Sequence, residues 1–194
     1  LLWAFILSGY SFFAVFKTRR FRGPLASYTT AILAVVQVFF MVLIAVFENP
    51  FRTLPFMKPD GEGMNPLLVH PYMQIHPPML YLGYVGFVVP YAFAMAALLS
   101  RQVDEEWIRT TRRWTIVPWF FLGTGQLLGG KWAYVVLGWG GYWGGDPVEN
   151  AGLLPWFTAT AFLHSVRVQE QRGMLRVWNV TLVILTFFLT IFGT

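Results

Sequence analysis

The sequence contains no cysteine, which excludes disulfides, thiolate metal sites and cysteine nucleophiles. Charge is scarce too: Asp, Glu, Lys and Arg make up 12% of the 194 residues, against roughly 25% in soluble domains. There are three histidines, no Ser/His/Asp set and no nucleotide-binding loop. What fills the chain instead is apolar, with 56% hydrophobic residues, 19% aromatic residues and a mean hydropathy of +0.55. That is a membrane protein composition. The formal charge of +5 does not point to nucleic acid, because the basic residues sit in short clusters between apolar runs, and nucleic acid is excluded as a partner. The chain opens on Leu1-Leu2-Trp3 within one apolar run, stops on Phe192-Gly193-Thr194 within another and has no signal-peptide pattern. It is expected to be an internal piece of a longer polytopic protein.

Six apolar segments stand out, at about 1–16, 25–47, 78–100, 115–138, 151–166 and 177–194. A span needs about 20 residues to cross hydrocarbon, and runs of this kind cross as helices. The expected fold class is therefore all-α: one polytopic transmembrane helical bundle over 1–194, with about six spans. Eleven of the fourteen Lys and Arg residues fall in the first, third and fifth connections: Lys17, Arg19, Arg20, Arg22; Arg101, Arg109, Arg112, Arg113; Arg167, Arg172, Arg176. Basic loops stay cytoplasmic. The second connection, 48–77, and the fourth, 139–150, are then expected on the opposite face of the membrane.

The fourth connection is the chemical centre of the sequence. Trp139-Gly-Gly-Tyr-Trp-Gly-Gly-Asp-Pro-Val-Glu-Asn150 holds three aromatics, four glycines and two carboxylates in twelve residues. Glycine lets backbone approach a ligand closely, and aromatic rings offer rigid flat faces. The stretch is shaped for something large, planar and partly polar. Asp146, Pro147 and Glu149 also fit a helix start, with Asp146 as N-cap, Pro147 at N1 and Glu149 as the N3 residue of a capping box. His70 and His76 lie in the 48–77 connection, each followed by proline. Pro77 and Pro78 suit a helix start, which would pin His76 at the outer surface. The residue types leave open a polar interfacial histidine or a ligand there. Gly123, Gly125, Gly129 and Gly130 permit close helix packing. Lys131 is placed either to snorkel or to pair with an acid. His164 is fourteen residues past Asn150, about 20 Å along a helix, on one face with Trp156 and Thr160. It is a candidate haem ligand or a histidine hydrogen-bonded to a neighbouring helix.

The Trp139–Asn150 stretch, with Lys131-Trp-Ala-Tyr134 and Leu137-Gly138 before it, resembles the tryptophan-rich WWD signature of the haem-handling proteins of cytochrome c maturation. Asn65-Pro-Leu-Leu68 followed by His76-Pro-Pro-Met-Leu-Tyr-Leu-Gly-Tyr-Val85 resembles the haem lyase branch of that family more than its smaller haem-delivery branch. The resemblance implies a haem lyase of the bacterial inner membrane, multi-pass, with connections 48–77 and 139–150 facing the periplasm. Such proteins receive haem from a periplasmic haem chaperone, work with other subunits of the maturation complex, and join haem vinyl groups to the CxxCH cysteines of apocytochrome c.

Carried over by position, His76 would be an axial ligand to the iron of the substrate haem. Trp139, Tyr142, Trp143 and Asp146 would form the shelf for its edge. His164 would be one axial ligand of a second, buried b-type haem that reduces the substrate iron, and the remaining ligands would lie beyond Thr194. The chain departs from the family pattern in having Tyr142 and Gly145 where Trp is usual. His70 matches no carried-over role.

Two rivals remain at this level. A haem export or delivery module without ligation chemistry shares the Trp-rich loop but lacks a buried haem ligand, so His164 separates the two. A cofactor-free transporter or channel predicts a continuous polar stripe along the spans, whereas only scattered Thr, Ser and Gln occur.

Overall fold

A computed structural model describes residues 1–18, 24–47, 49–53, 55–56, 60–61, 63–101 and 105–193. Arg19, Arg20, Arg22, Glu48, Lys58, Glu62 and Thr194 lie outside these. Among the described residues every regular element is helical: α1 (Leu2–Thr18), α2 (Pro24–Val42, continued by a π-turn at Leu43–Phe47), a 3-10 turn (Pro66–Leu68), α3 (Pro71–Gly86), α4 (Val88–Ser100), α5 (Glu105–Val136), α6 (Pro147–Arg172) and α7 (Arg176–Phe192). The all-α expectation is met. Two bodies, Pro24–Phe47 and Pro71–Ser100, are long and apolar enough to cross a membrane by length and composition, and α1 and α7 are shorter apolar helices.

α3 and α4 form one interrupted rod. Pro90 has no N–H for the Gly86 carbonyl, and the ladder breaks between the two helices, where the Phe87 N–H turns to Tyr84 O at 3.3 Å. This rod is the centre of the bundle. Its apolar window is 72% buried, against 11% for the α2 body. Leu7, Leu33, Val85, Val89, Phe93 and Phe187 close around one side of it. Trp107, Phe162, Val166 and Val183 pack with Ala94 and Ala97 on another.

The seam between α3 and α5 is set by small residues. A Cβ on Gly83 would fall 2.7 Å from the Leu122 backbone N, and one on Gly125 would fall 2.9 Å from the Leu80 N. Only glycine lets the two backbones approach so closely.

Three side-chain contacts fix which helix ends lie together. Arg112 Nη1 donates to Glu170 Oε2 at 2.7 Å, and Lys17 Nζ lies 5.5 Å from the Trp114 ring centroid. The described basic residues at the ends of α1, α5 and α6 therefore gather at one end. At the other end Trp132 Nε1 donates to Leu67 O at 3.1 Å, tying the second connection to α5 beside the Trp-rich hinge.

One expected boundary is corrected. α3 starts at Pro71, not at Pro77, because His70 serves as its N-cap, its Nδ1 accepting from the Tyr72 N–H at 3.3 Å. The second connection therefore ends at His70, and His76, Pro77 and Pro78 lie inside the helix.

Candidate functional site

His76 sits in the second turn of α3, half-buried against α5. Its Nδ1 lies 2.7 Å from the Gly125 carbonyl oxygen. A carbonyl only accepts, so the proton belongs on Nδ1, which leaves Nε2 bare as a donor to a metal. The same bond fixes the ring plane and the tautomer, as carbonyl partners do for ligating histidines. Room for the ring comes from Gly129, where a Cβ would lie 2.5 Å from His76 Cε1.

His76 opens on a cavity of about 180 Å³ between α3, α5 and the hinge, which Trp139, Trp143, Asp146 and Glu149 also line. Trp139 and Trp143 are exposed at 52% and 42%, so the cavity is walled by aromatic faces yet reachable from outside. Its volume is too small to enclose a macrocycle.

The hinge is held by its own polar groups. Asp146 caps α6, its Oδ1 accepting from the Glu149 N–H at 2.7 Å, as the sequence predicts. The other half of the expected capping box differs. Glu149 Oε2 accepts from Gly144 N and Gly145 N, both at 2.8 Å. The carboxylate reaches past the N-cap because Gly145, at φ +70°, turns these amides towards it. Asn150 Nδ2 donates to Gly145 O at 3.0 Å. Trp139 Nε1 donates to Gly141 O at 2.9 Å, and its ring lies over Gly144, where a Cβ would come within 2.0 Å of Cη2.

Tyr142 is separated from this group. It stacks on Tyr134 at 4.4 Å and 5° and lines a different cavity of about 540 Å³, an apolar groove along α5 and α6 bordered by Trp119, Phe120, Leu127, Leu153 and Trp156. Trp119 stacks on Trp156 at 5.6 Å and donates to Thr160 Oγ1 at 2.7 Å. Trp143, Gln126 and Gly130 line both cavities.

His164 continues the α6 face of Trp156 and Thr160 by one turn, but its ring is exposed rather than buried within this chain. A single imidazole at this position would supply no more than one axial nitrogen to a haem. The other histidines are engaged elsewhere, His70 as a cap and His76 in the outer cavity. Lys131 lies 5.7 Å from the Tyr134 ring centroid, a cation–π placement.

Sequence reasoning missed the roles of Gly125 and Gly129 as partner and seat of His76. Their four-residue spacing places them on one helix face, but nothing in the sequence names what fills it. It also missed Gln126, whose Nε2 lies over Gly152 beside the α3 residue Tyr84: a Cβ on Gly152 would lie 1.9 Å from that nitrogen and 2.6 Å from the Tyr84 hydroxyl.

The whole chain, residues 1–194, matches the family model described as "Cytochrome C assembly protein". It is 46% identical over 195 residues to the cytochrome c-type biogenesis protein CcmF of Pseudomonas aeruginosa, covering 100% of this chain and 30% of that one. It is 45% identical to CcmF of Escherichia coli K12, with the same coverage, and 40% identical to the probable cytochrome c-type biogenesis protein NrfE of E. coli K12, covering 35% of that chain. A solved structure of "Cytochrome c Heme Lyase CcmF" superposes with a TM-score of 0.84 at 42% identity, over 99% of this chain and 30% of that one. The chain thus spans about 30% of the length of the CcmF relatives. With the match running end to end, the chain belongs to the cytochrome c assembly protein family.

Proposed function

We propose that this chain carries the haem-positioning part of a bacterial cytochrome c haem lyase, in an inner-membrane bundle of about six spans whose hinge and His76 face the periplasm. The observation that carries the proposal is the His76–Gly125 bond, which leaves Nε2 without a proton on a histidine that lines a cavity walled by Trp139 and Trp143. Lys17 and Arg112, gathered at the opposite end, support the orientation.

Haem handed over by a periplasmic chaperone rests on the aromatic wall, and His76 holds its iron. In the attachment, each cysteine of an apocytochrome CxxCH adds across a vinyl group. Sulfur bonds to the carbon next to the ring, the thiol proton ends on the terminal carbon, and no electrons are gained or lost overall. The thiols come from the cytochrome, which suits a chain without cysteine. The protein's own contribution is orientation: holding the macrocycle in one register lowers the entropic cost of aligning two vinyls with two thiols. A b-type haem held on one side by His164 would supply an electron to keep the substrate iron reduced. Tyr142, stacked on Tyr134, braces the hinge against α5 from the side of the groove.

The test is a reduced-minus-oxidised spectrum of the full-length parent in detergent, beside its His76→Ala and His164→Ala variants. A b-type α-band lost on His164→Ala, with haem transfer to apocytochrome c lost on His76→Ala, is expected. A parent that purifies without any haem band refutes the two-haem reading, and a band indifferent to His164 favours a delivery module.

A further inference from the structure

Glu149 belongs to the first turn of α6, yet its carboxylate points back out of the helix onto the hinge. One oxygen, Oε2, takes both amides of the Gly144–Gly145 dipeptide. Successive N–H groups converging on one anion form a nest, and an ionised acceptor makes such bonds about twice as strong as neutral ones. The dipeptide follows Trp143 directly, and Trp143 is the aromatic residue that borders both the His76 cavity and the apolar groove along α5 and α6. Trp139, the other wall of the His76 cavity, lies on Gly144 itself. Both walls therefore take their position from two glycines held by one carboxylate.

The neighbouring polar side chains are engaged in other bonds. Asp146 Oδ1 is engaged with the Glu149 N–H, and Asn150 offers its Nδ2 to the Gly145 carbonyl instead of an acceptor to the amides. Removing the carboxylate frees a stretch with four glycines in seven residues, Trp139–Gly145, whose conformational freedom is large.

We propose that Glu149 is a positioning residue: its ionised carboxylate holds the Gly144–Gly145 turn and so sets Trp139 and Trp143 as the walls that receive a planar apolar macrocycle beside His76. This rests on the haem-site reading above. Glu149 itself contacts neither the iron nor the vinyl groups. Its effect is on the fraction of molecules whose hinge is ready to bind, and apparent affinity falls with that fraction.

The experiment uses the full-length protein in detergent, with wild type, Glu149→Ala, Glu149→Gln and His76→Ala compared. Amide hydrogen exchange is followed over residues 139–146, together with the Soret band and the rate of haem loss to excess apomyoglobin. Glu149→Ala is expected to speed exchange in the hinge and haem loss about tenfold, with the Soret position unchanged because His76 is untouched. Glu149→Gln keeps an acceptor oxygen and falls between the two, which a general loss of folding would not produce. Hinge exchange and haem loss both at wild-type rates in Glu149→Ala, with His76→Ala clearly faster, overturn the positioning role and leave the haem site standing. Equal haem loss from wild type and His76→Ala overturns the haem-site reading, and with it the purpose assigned to Glu149.

Discussion

Gly129→Ala is the sharpest probe of the His76 seat, because it adds one methyl group on α5 while leaving His76 and every hinge residue unchanged in identity. The new Cβ would lie 2.5 Å from His76 Cε1 and 2.9 Å from Nδ1, well inside van der Waals contact. The helix backbone cannot retreat far, since the same α3–α5 seam is already closed at Gly83 and Gly125. The imidazole must therefore rotate, and rotation breaks the 2.7 Å bond to Gly125 O. Overpacking of this kind costs about 1–3 kcal/mol, and the lost hydrogen bond adds about 0.5–1.5 kcal/mol. If only the misplacement of Nε2 is charged to binding, roughly 1.4 kcal/mol, retention of haem weakens about tenfold. Gly138→Ala is the control, since a Cβ there meets nothing within 4 Å and should stay within about 0.5 kcal/mol of wild type. Haem affinity is measured by Soret titration, and stability by thermal unfolding in the same detergent. A Gly129→Ala protein with wild-type Soret intensity and wild-type midpoint would refute the idea that this glycine exists to seat the histidine.

Other outcomes follow from the same geometry. Asp146→Ala should destabilise by about 1 kcal/mol through loss of the α6 cap, while Asp146→Asn keeps the cap and stays near wild type in thermal unfolding. Gly83→Ala forces the α3 and α5 backbones apart and should cost about 1–3 kcal/mol, read as a lowered midpoint.

The helices were the legible part of the sequence. Each long apolar run coincides with a helical body, because hydrophobic length is a property that survives without knowledge of neighbours. Helix starts were less secure. The stretch holds two histidine–proline steps, His70-Pro71 and His76-Pro77-Pro78, and either satisfies the rule for a first turn. The earlier one starts the helix, since the His70 ring can accept from the Tyr72 amide, and the later prolines are then carried inside it.

The Asp146 cap was readable for the same local reason. The reach of Glu149 was not: a capping pattern names the residues but not the path of the chain before them, and here the positive φ of Gly145 redirects the amides. Trp139, Trp143, Asp146 and His76 line one cavity. Tyr142 faces another, because its stacking on Tyr134 depends on how the hinge folds back on α5. The pairing of His76 with Gly125 joins positions 49 apart in sequence, a distance no periodicity encodes.

The glycine seam between α3 and α5 has a kinetic meaning as well as a packing one. Two backbones in such close register cannot slide or roll past one another without colliding, so the seat of His76 on α3 keeps a fixed distance from α5. Under the haem-site proposal, any widening of the gap to Trp139 and Trp143 falls to the short glycine-rich span between α5 and α6, and the rate of haem exchange becomes a property of that flap rather than of the bundle.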